Sequence, residues 1–151
     1  MGFFVGKRLA TVRGEQRIRF SLPGPPAAWH RPKLSRSNRI DGRGVRVFKD
    51  AQDQQYQNAI GLAAAAAIMR WRHENDEAWT GLGEFHVECE FHLSDLRRRD
   101  IDNLLKNCLD AMSTIVYDDD TQVVSVRMSK RLKRDKPCTI VQVWTTEGHL
   151  G

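Results

Sequence analysis

Apolar and polar residues alternate with period two in separate parts of this chain. From Arg17 to Leu22, the apolar Ile18, Phe20 and Leu22 are interleaved with Arg17, Arg19 and Ser21, the pattern of a strand covered on one face. Pro23, Gly24, Pro25 and Pro26 end it, since proline cannot donate to a ladder. The cleanest alternation runs from Glu84 to Leu93. There Phe85, Val87, Cys89, Phe91 and Leu93 face one way and Glu84, His86, Glu88, Glu90 and His92 the other, predicting a second half-buried strand. Between these two strands, Asp50 stands as an N-cap for a helix reaching about Arg72, with Tyr56, Ile60, Ala63, Ala67 and Trp71 along one side. Its Ala63–Ala67 run has high helix propensity and no bulk, which suits close approach to a sheet or a second subunit. Residues 73–83, with Asn75, Asp76, Gly81 and Gly83, read as a connection.

The period then changes to helical. Ile101, Leu104, Leu105, Cys108, Leu109 and Met112 fall on one face of a helix predicted over 102–114, and Asn103, Lys106, Asn107 and Asp110 on the other. Val124, Val126 and Met128 next share one strand face, with Ser125 and Arg127 opposite. A basic turn follows, Lys130, Arg131, Lys133, Arg134 and Lys136, closed by Pro137, and a last strand runs from Cys138 to about Thr145. The expected fold is mixed α/β (α+β), a single domain whose four- to five-stranded mixed sheet packs against two main helices. Its core would draw on Ile18, Phe20, Ile60, Val87, Cys89, Phe91, Leu104, Leu105, Cys108, Leu109, Val124 and Val126. Residues 1–16 form an N-terminal extension of unassigned role, with a short strand near Phe3–Val5; residues 17–146 form the domain, and 147–151 a frayed tail.

Composition narrows the function. A chain of 151 residues is one domain by length and buries a core without staples. The formal net charge is +5 and the pI about 9.4, a basic excess that favours a polyanionic partner. Cys89, Cys108 and Cys138 are widely spaced in apolar periodic sequence, as reduced core cysteines of a cytosolic protein are. The absence of C-x-x-C or paired His/Cys spacing argues against zinc. No apolar run approaches the ~20 residues of a membrane helix. The start, MGFFVGKRLATVRG, has neither the apolar core of a signal peptide nor the Ser/Thr of a myristoylation pattern. These features predict a cytoplasmic protein.

Candidate chemistry gathers between residues 97 and 120. Arg97, Arg98 and Arg99 lead into Asp100 and Asp102, and a second acidic group, Asp118, Asp119 and Asp120, precedes the strand TQVVSVRM. Residues two apart share a side in a strand but lie about 200° apart on a helix. Asp100 and Asp102 therefore converge only if the helix starts at about Asp102 or Asn103. A plainer arrangement is also available: Asp102 caps the helix, Asp100 is solvated, and Asp102, Lys106 and Asp110 form exposed i,i+4 pairs. From Trp29 to Arg46 the chain is loop-like and basic, with Arg31, Lys33, Arg36, Arg39, Arg43 and Arg46 against Asp41, and a hairpin tip at Gly42 and Gly44. Such a segment is either a solvated loop or an arm for phosphate contacts, which need little fixed geometry.

The run RRRDIDNLLKNCLDAM…YDDDTQVVSVRMSKR resembles the central signature of the RusA family of Holliday-junction resolvases: basic residues, D-[LI]-D-N-L-x-K, a helix with a D-A pair, then a D-D-x-Q-V-V strand start. RIRFSLPGPPAAWHRP resembles that family's opening strand and proline-bearing turn. The likeness spans about residues 17 to 146 and is densest from 97 to 131; some 15 residues before the first strand fall outside the family pattern. The resemblance implies three catalytic, metal-binding aspartates, carried over to Asp100, Asp102 and Asp120, and an essential lysine at Lys106. It further implies an Mg²⁺-dependent endodeoxyribonuclease that acts as a homodimer on branched DNA such as the four-way junction in recombination and repair, in a bacterium or phage-infected cell. DNA contacts would come from Arg97, Arg98, Arg99, Lys130, Arg131, Lys133, Arg31 and Lys33. The alternative is a DNA-binding module of the same fold that does not cleave. Glu90 and His92, near the strand end that leads to Asp100, are further candidates for the site.

Overall fold

The computed structural model describes residues 15–27, 33–36, 45–48, 51–95 and 100–146. Strand β1 (Glu15–Pro23) is followed by two short strands, β2 (Lys33–Arg36) and β3 (Val45–Phe48), and by helix α1 (Ala51–Asn75). Then come β4 (Phe85–Leu93), helix α2 (Ile101–Met112), a 3₁₀ turn (Asp120–Gln122), β5 (Val123–Leu132) and β6 (Cys138–Thr146). Four strands make one sheet in the order β1-β6-β4-β5. β6 runs antiparallel to both β1 and β4, whereas β4 and β5 are parallel. Parallel neighbours require a crossover, and α2 lies in that crossover. β2 and β3 form a separate antiparallel hairpin within the segment expected to be loop; its tip, with Gly42 and Gly44, lies outside the described residues, as do the expected cap Asp50 and the short strand near Phe3–Val5.

The core lies between the helices and one face of the sheet. The alternation in β4 is obeyed at every position: Phe85, Val87, Cys89, Phe91 and Leu93 are buried. Ile18 and Phe20 of β1, Val141 and Val143 of β6, Ile60, Ala64 and Trp71 of α1, and Leu104, Cys108 and Met112 of α2 complete it. Removing a Phe, Leu, Ile, Val or Met side chain from water contributes roughly 1.5–3 kcal/mol each, so this layer of contacts drives folding. Four expected core residues are corrected. Leu105 and Leu109 are only partly buried, and Val124 and Val126 are 48% and 40% exposed. For Val124 and Val126 the reason is position: β5 is an edge strand of the sheet. Val124 also sits at the register shift between Phe85 and His86.

The helix ends are set by the backbone. α1 runs one turn beyond the expected Arg72, to Asn75, where the Asn75 side chain donates to Trp71 O (2.8 Å). Asp76, with φ 52°, then donates its amide to Arg72 O, a left-handed stop that asparagine or aspartate can supply. α2 ends at Met112, two residues before the expected Thr114, because Thr114 itself takes φ 70°. The following turn is fixed by Thr114 N donating to Tyr117 O (2.8 Å) and the Tyr117 hydroxyl to Leu109 O (2.9 Å). The connection after α1 is also pinned. Trp79 lies edge-on to Trp71 and donates its indole N–H to Val116 O (2.8 Å), and Phe85 lies between Trp79 and Tyr117.

Candidate active site

Sheet topology brings three strand ends to one end of the sheet. β1, β4 and β5 all finish there: Pro23 pairs with Cys138, His92 with Cys138, and Leu93 with Leu132. The chain after β1, the stretch leading from β4 to Asp100, and the β5–β6 turn therefore leave from one sheet end. They are tied there by Gly24 N donating to Pro137 O (3.0 Å) and Lys133 N to Leu93 O (2.7 Å). Lys130, Arg131 and Lys133 are exposed on β5 and its turn. Arg131 also pairs with Glu90 at 3.2 Å, which offsets part of its charge. Arg31 and Arg97 to Arg99 lie outside the described residues; Lys33 is placed by its backbone as the first residue of β2.

At the start of α2, Asp100 is the N-cap with extended backbone (φ −73°, ψ 130°), one residue earlier than the sequence spacing suggested. Its carbonyl accepts from Asn103 N (3.1 Å) and Leu104 N (3.2 Å), while its side chain makes no cap hydrogen bond. Asp102 is thus not the cap; it stands exposed in the first turn, where the helix dipole favours negative charge. Both carboxylates face solvent. Lys106 pairs with Asp110 at 3.7 Å, with the two side chains 47% and 30% exposed.

The acidic run before β5 separates into distinct roles. Asp119 is taken up locally: it accepts from the Thr121 hydroxyl (2.6 Å), a bond that holds its carboxyl below the usual range, and it caps the 3₁₀ turn reciprocally with Gln122. Gln122 then reaches back to Gly81 O and Gly83 O. Asp118 lies against Gly81, where a Cβ would stand 3.2 Å from its Oδ1. Asp120 is exposed. Burial raises the Tyr117 phenol above its ordinary range, with the Asp120 carboxylate adding to the effect.

The donor set is chemically suited to a hard cation, being carboxylate oxygen throughout. Among the described residues, no three His, Cys, Asp or Glu side chains stand together as a set that could hold a metal ion. Asp100 is the cap and Asp102 already lies in the first helical turn, so the two are not held on one side by extended backbone.

Sequence reasoning also missed several polar contacts. Asn107, expected on the polar helix face, is fully buried. It accepts from Gln57 Nε2 (2.7 Å) and donates to Ala27 O (2.8 Å), joining both helices to the base of the segment after β1. Its place three residues after Leu104, at the flank facing α1, was not visible without the helix–helix contact. On the open face of the sheet, Trp144 stacks on His86 (5.5 Å) with Arg17 over its ring (4.5 Å). Glu90 and His92 lie on this same open face. His92 Nε2 is 2.9 Å from Glu90 Oε1 and its Nδ1 is 3.5 Å from Cys138 Sγ. The His92 hydrogen bond holds the Glu90 carboxyl below its usual range, with Arg131 assisting. Cys89 and Cys108 are buried as expected; Cys138 is only half-buried, at the open face.

Comparison with known proteins completes the picture. No curated protein sequence matches the chain. The family model described as Endodeoxyribonuclease RusA matches residues 23–144, which include both helices, the aspartates at 100, 102 and 120, and the whole of β4 and β5. A match over most of the chain shows that the chain belongs to the RusA endodeoxyribonuclease family.

Proposed function

We propose that the protein is a structure-selective endodeoxyribonuclease that cuts four-way junctions and related branched DNA, working as a homodimer with Mg²⁺ in recombination and repair. The observation that carries this reading is the family match over residues 23–144, supported by the ends of β1, β4 and β5 meeting at one end of the sheet beside the exposed Lys130, Arg131 and Lys133. Lys130, Arg131, Lys133, Arg31, Lys33 and Arg97 to Arg99 supply sequence-independent affinity for phosphates. Asp100 and Asp102, near the bound backbone, orient a water and accept its proton, and Lys106 meets the charge that develops on the phosphate. Asp120 is proposed as the third acid. The commitment of Asp119 to its cap supports that choice among the three neighbouring aspartates. Mg²⁺ bound by these carboxylates would supply Lewis-acid charge at the scissile phosphate. A two-fold dimer presents one such site to each of two equivalent junction strands.

A second reading is a DNA-binding module that does not cut; it is favoured by the lack, among the described residues, of three His, Cys, Asp or Glu side chains grouped as a metal site. Cleavage of a synthetic four-way junction beside linear duplex, with and without Mg²⁺, distinguishes them. Asp100→Asn, Asp102→Asn and Asp120→Asn are each expected to abolish cutting while junction binding persists or tightens, because a negative charge near phosphate is lost. If two of the three variants cut at near wild-type rates, the assignment of the acids fails; if the wild type binds and never cuts, the module reading takes its place.

A further inference from the structure

On the open face of the sheet, Cys138, His92 and Glu90 form a relay in which none of the acids at 100, 102 and 120 takes part. Strand pairing places them. Cys138 opens β6 directly opposite His92 of β4, and Glu90 lies two residues back on the same face of β4. His92 Nδ1 is 3.5 Å from Cys138 Sγ, and its Nε2 is 2.9 Å from Glu90 Oε1. Arg131, paired with His92 from β5, meets the same Glu90 oxygen at 3.2 Å. An ionised carboxylate only accepts hydrogen bonds, and Glu90 is kept in that form by His92 first, with Arg131 assisting. The His92 proton therefore sits on Nε2, which leaves Nδ1 as an acceptor beside the thiol. A nucleophile, a base within reach and a third group that orients the base make up the arrangement that activates a cysteine. It is not a metal set. Cys138 and Glu90 engage opposite nitrogens of one ring, and no group of three ligating side chains is found among the described residues.

We propose that Cys138 is an S-thiolation site for low-molecular-weight disulfides that carry carboxylates. The Cys138 sulfur attacks one sulfur of the disulfide as its proton passes to His92 Nδ1. The reagent's S–S bond breaks, a new S–S bond forms to Cys138, and the leaving thiolate takes the proton from His92. The disulfide is itself the oxidant, so the step needs no other reactant. Access selects this cysteine: Cys138 is half-buried, whereas Cys89 and Cys108 are 1% and 0% exposed. Charge selects the reagent. The turn leading into Cys138 exposes Lys133, Arg134 and Lys136 against Asp135, and Lys133 N donating to Leu93 O holds it beside β4. The relay's own carboxylate, Glu90, is offset by Arg131. An anionic disulfide is drawn to such a surface and a cationic one repelled. The proposal goes beyond the functional reading and does not rest on it.

Intact-mass kinetics on the reduced full chain test it with glutathione disulfide (anionic), 2-hydroxyethyl disulfide (neutral) and cystamine (cationic). Each rate is divided by that of the same reagent with 2-mercaptoethanol, a neutral thiol. The wild type is expected to take one adduct, mapped by peptide digestion to Cys138, with glutathione disulfide favoured several-fold over cystamine. His92→Gln is expected to slow the neutral reagent about tenfold, since a free thiol is only a few per cent thiolate at pH 7. Glu90→Ala keeps the imidazole but removes its orienting partner; it is expected to slow the same reagent and guards against misfolding of the first variant. Arg134→Gln/Lys136→Gln is expected to erase the preference for glutathione disulfide and leave the neutral rate unchanged. Cys89 and Cys108 staying unmodified in the same spectra reports that the fold is intact, so a slower Cys138 then reflects lost activation rather than lost structure. The proposal is overturned by a wild type with no adduct on Cys138, by adducts on Cys89 or Cys108 instead, or by equal rates for the anionic and cationic reagents. It is equally overturned if His92→Gln and Glu90→Ala both react at the wild-type rate.

Discussion

At Lys106 two roles make opposite predictions. The residue stands one turn after Asp102 and pairs with Asp110 at 3.7 Å in a half-exposed geometry. As a helix pair this is worth about 0.3–0.5 kcal/mol, and its loss would barely alter stability or cleavage. If the ammonium meets charge that develops as the phosphodiester bond breaks, Lys106→Met lowers single-turnover cleavage on the order of 10²-fold, by analogy with removal of one preorganised donor. Junction affinity changes little, one phosphate contact being a small share of the total. Normal melting with cleavage abolished is the expected result. A variant that melts normally and cuts at the wild-type rate would leave only the ion pair.

Between elements, the contact that departs most from the sequence pattern is the buried amide relay Gln57–Asn107–Ala27. Helix α2 was legible as amphipathic, yet its polar flank is where it meets α1, and there Asn107 is fully buried. A buried polar group needs its partners. Asn107→Leu, similar in size, strips partners from Gln57 Nε2 and Ala27 O, at a cost of about 1–3 kcal/mol for each group left unsatisfied. We expect a clear drop in melting temperature, with the far-ultraviolet spectrum unchanged. It should be accompanied by weaker junction binding, since Ala27 anchors the base of the segment that leads to Arg31 and Lys33. An unchanged melting temperature would show that the relay contributes nothing to holding the helices together.

For the molecule as a whole, electrostatics rather than any single contact governs the encounter with DNA. Arg97 and Arg98 precede Asp100 in the sequence, in the stretch that follows β4. Replacing both with Ala is expected to weaken binding about equally for all sequences and to reduce the salt slope by roughly one for each phosphate that is no longer neutralised. Titration of junction DNA at several salt concentrations measures this directly. A slope that does not change moves the DNA surface elsewhere, most plainly to the residues from 31 to 46. No helix among the described residues is long and apolar enough to cross a membrane.

Local pattern carried as far as local physics reaches. Period-two alternation identified β1 and β4 to within two residues, because each strand has one face in water and one in the core, and helical spacing found α1 and α2 for the same reason. The order of basic residues, Asp100, Asp102, Lys106 and Asp120 was enough for the family resemblance. What the chain could not show was set by partners distant in sequence. That β5 is an edge strand, leaving Val124 and Val126 exposed, depends on β4 pairing with β6 on its other side. That Asn107 is buried depends on where α1 crosses α2. The stops at Asp76 and Thr114 are left-handed residues held by surrounding hydrogen bonds rather than by glycine. Which carboxylates meet is likewise a property of the crossover: spacing along the chain is fixed by sequence, but the meeting of side chains is decided by how the crossover lies on the sheet.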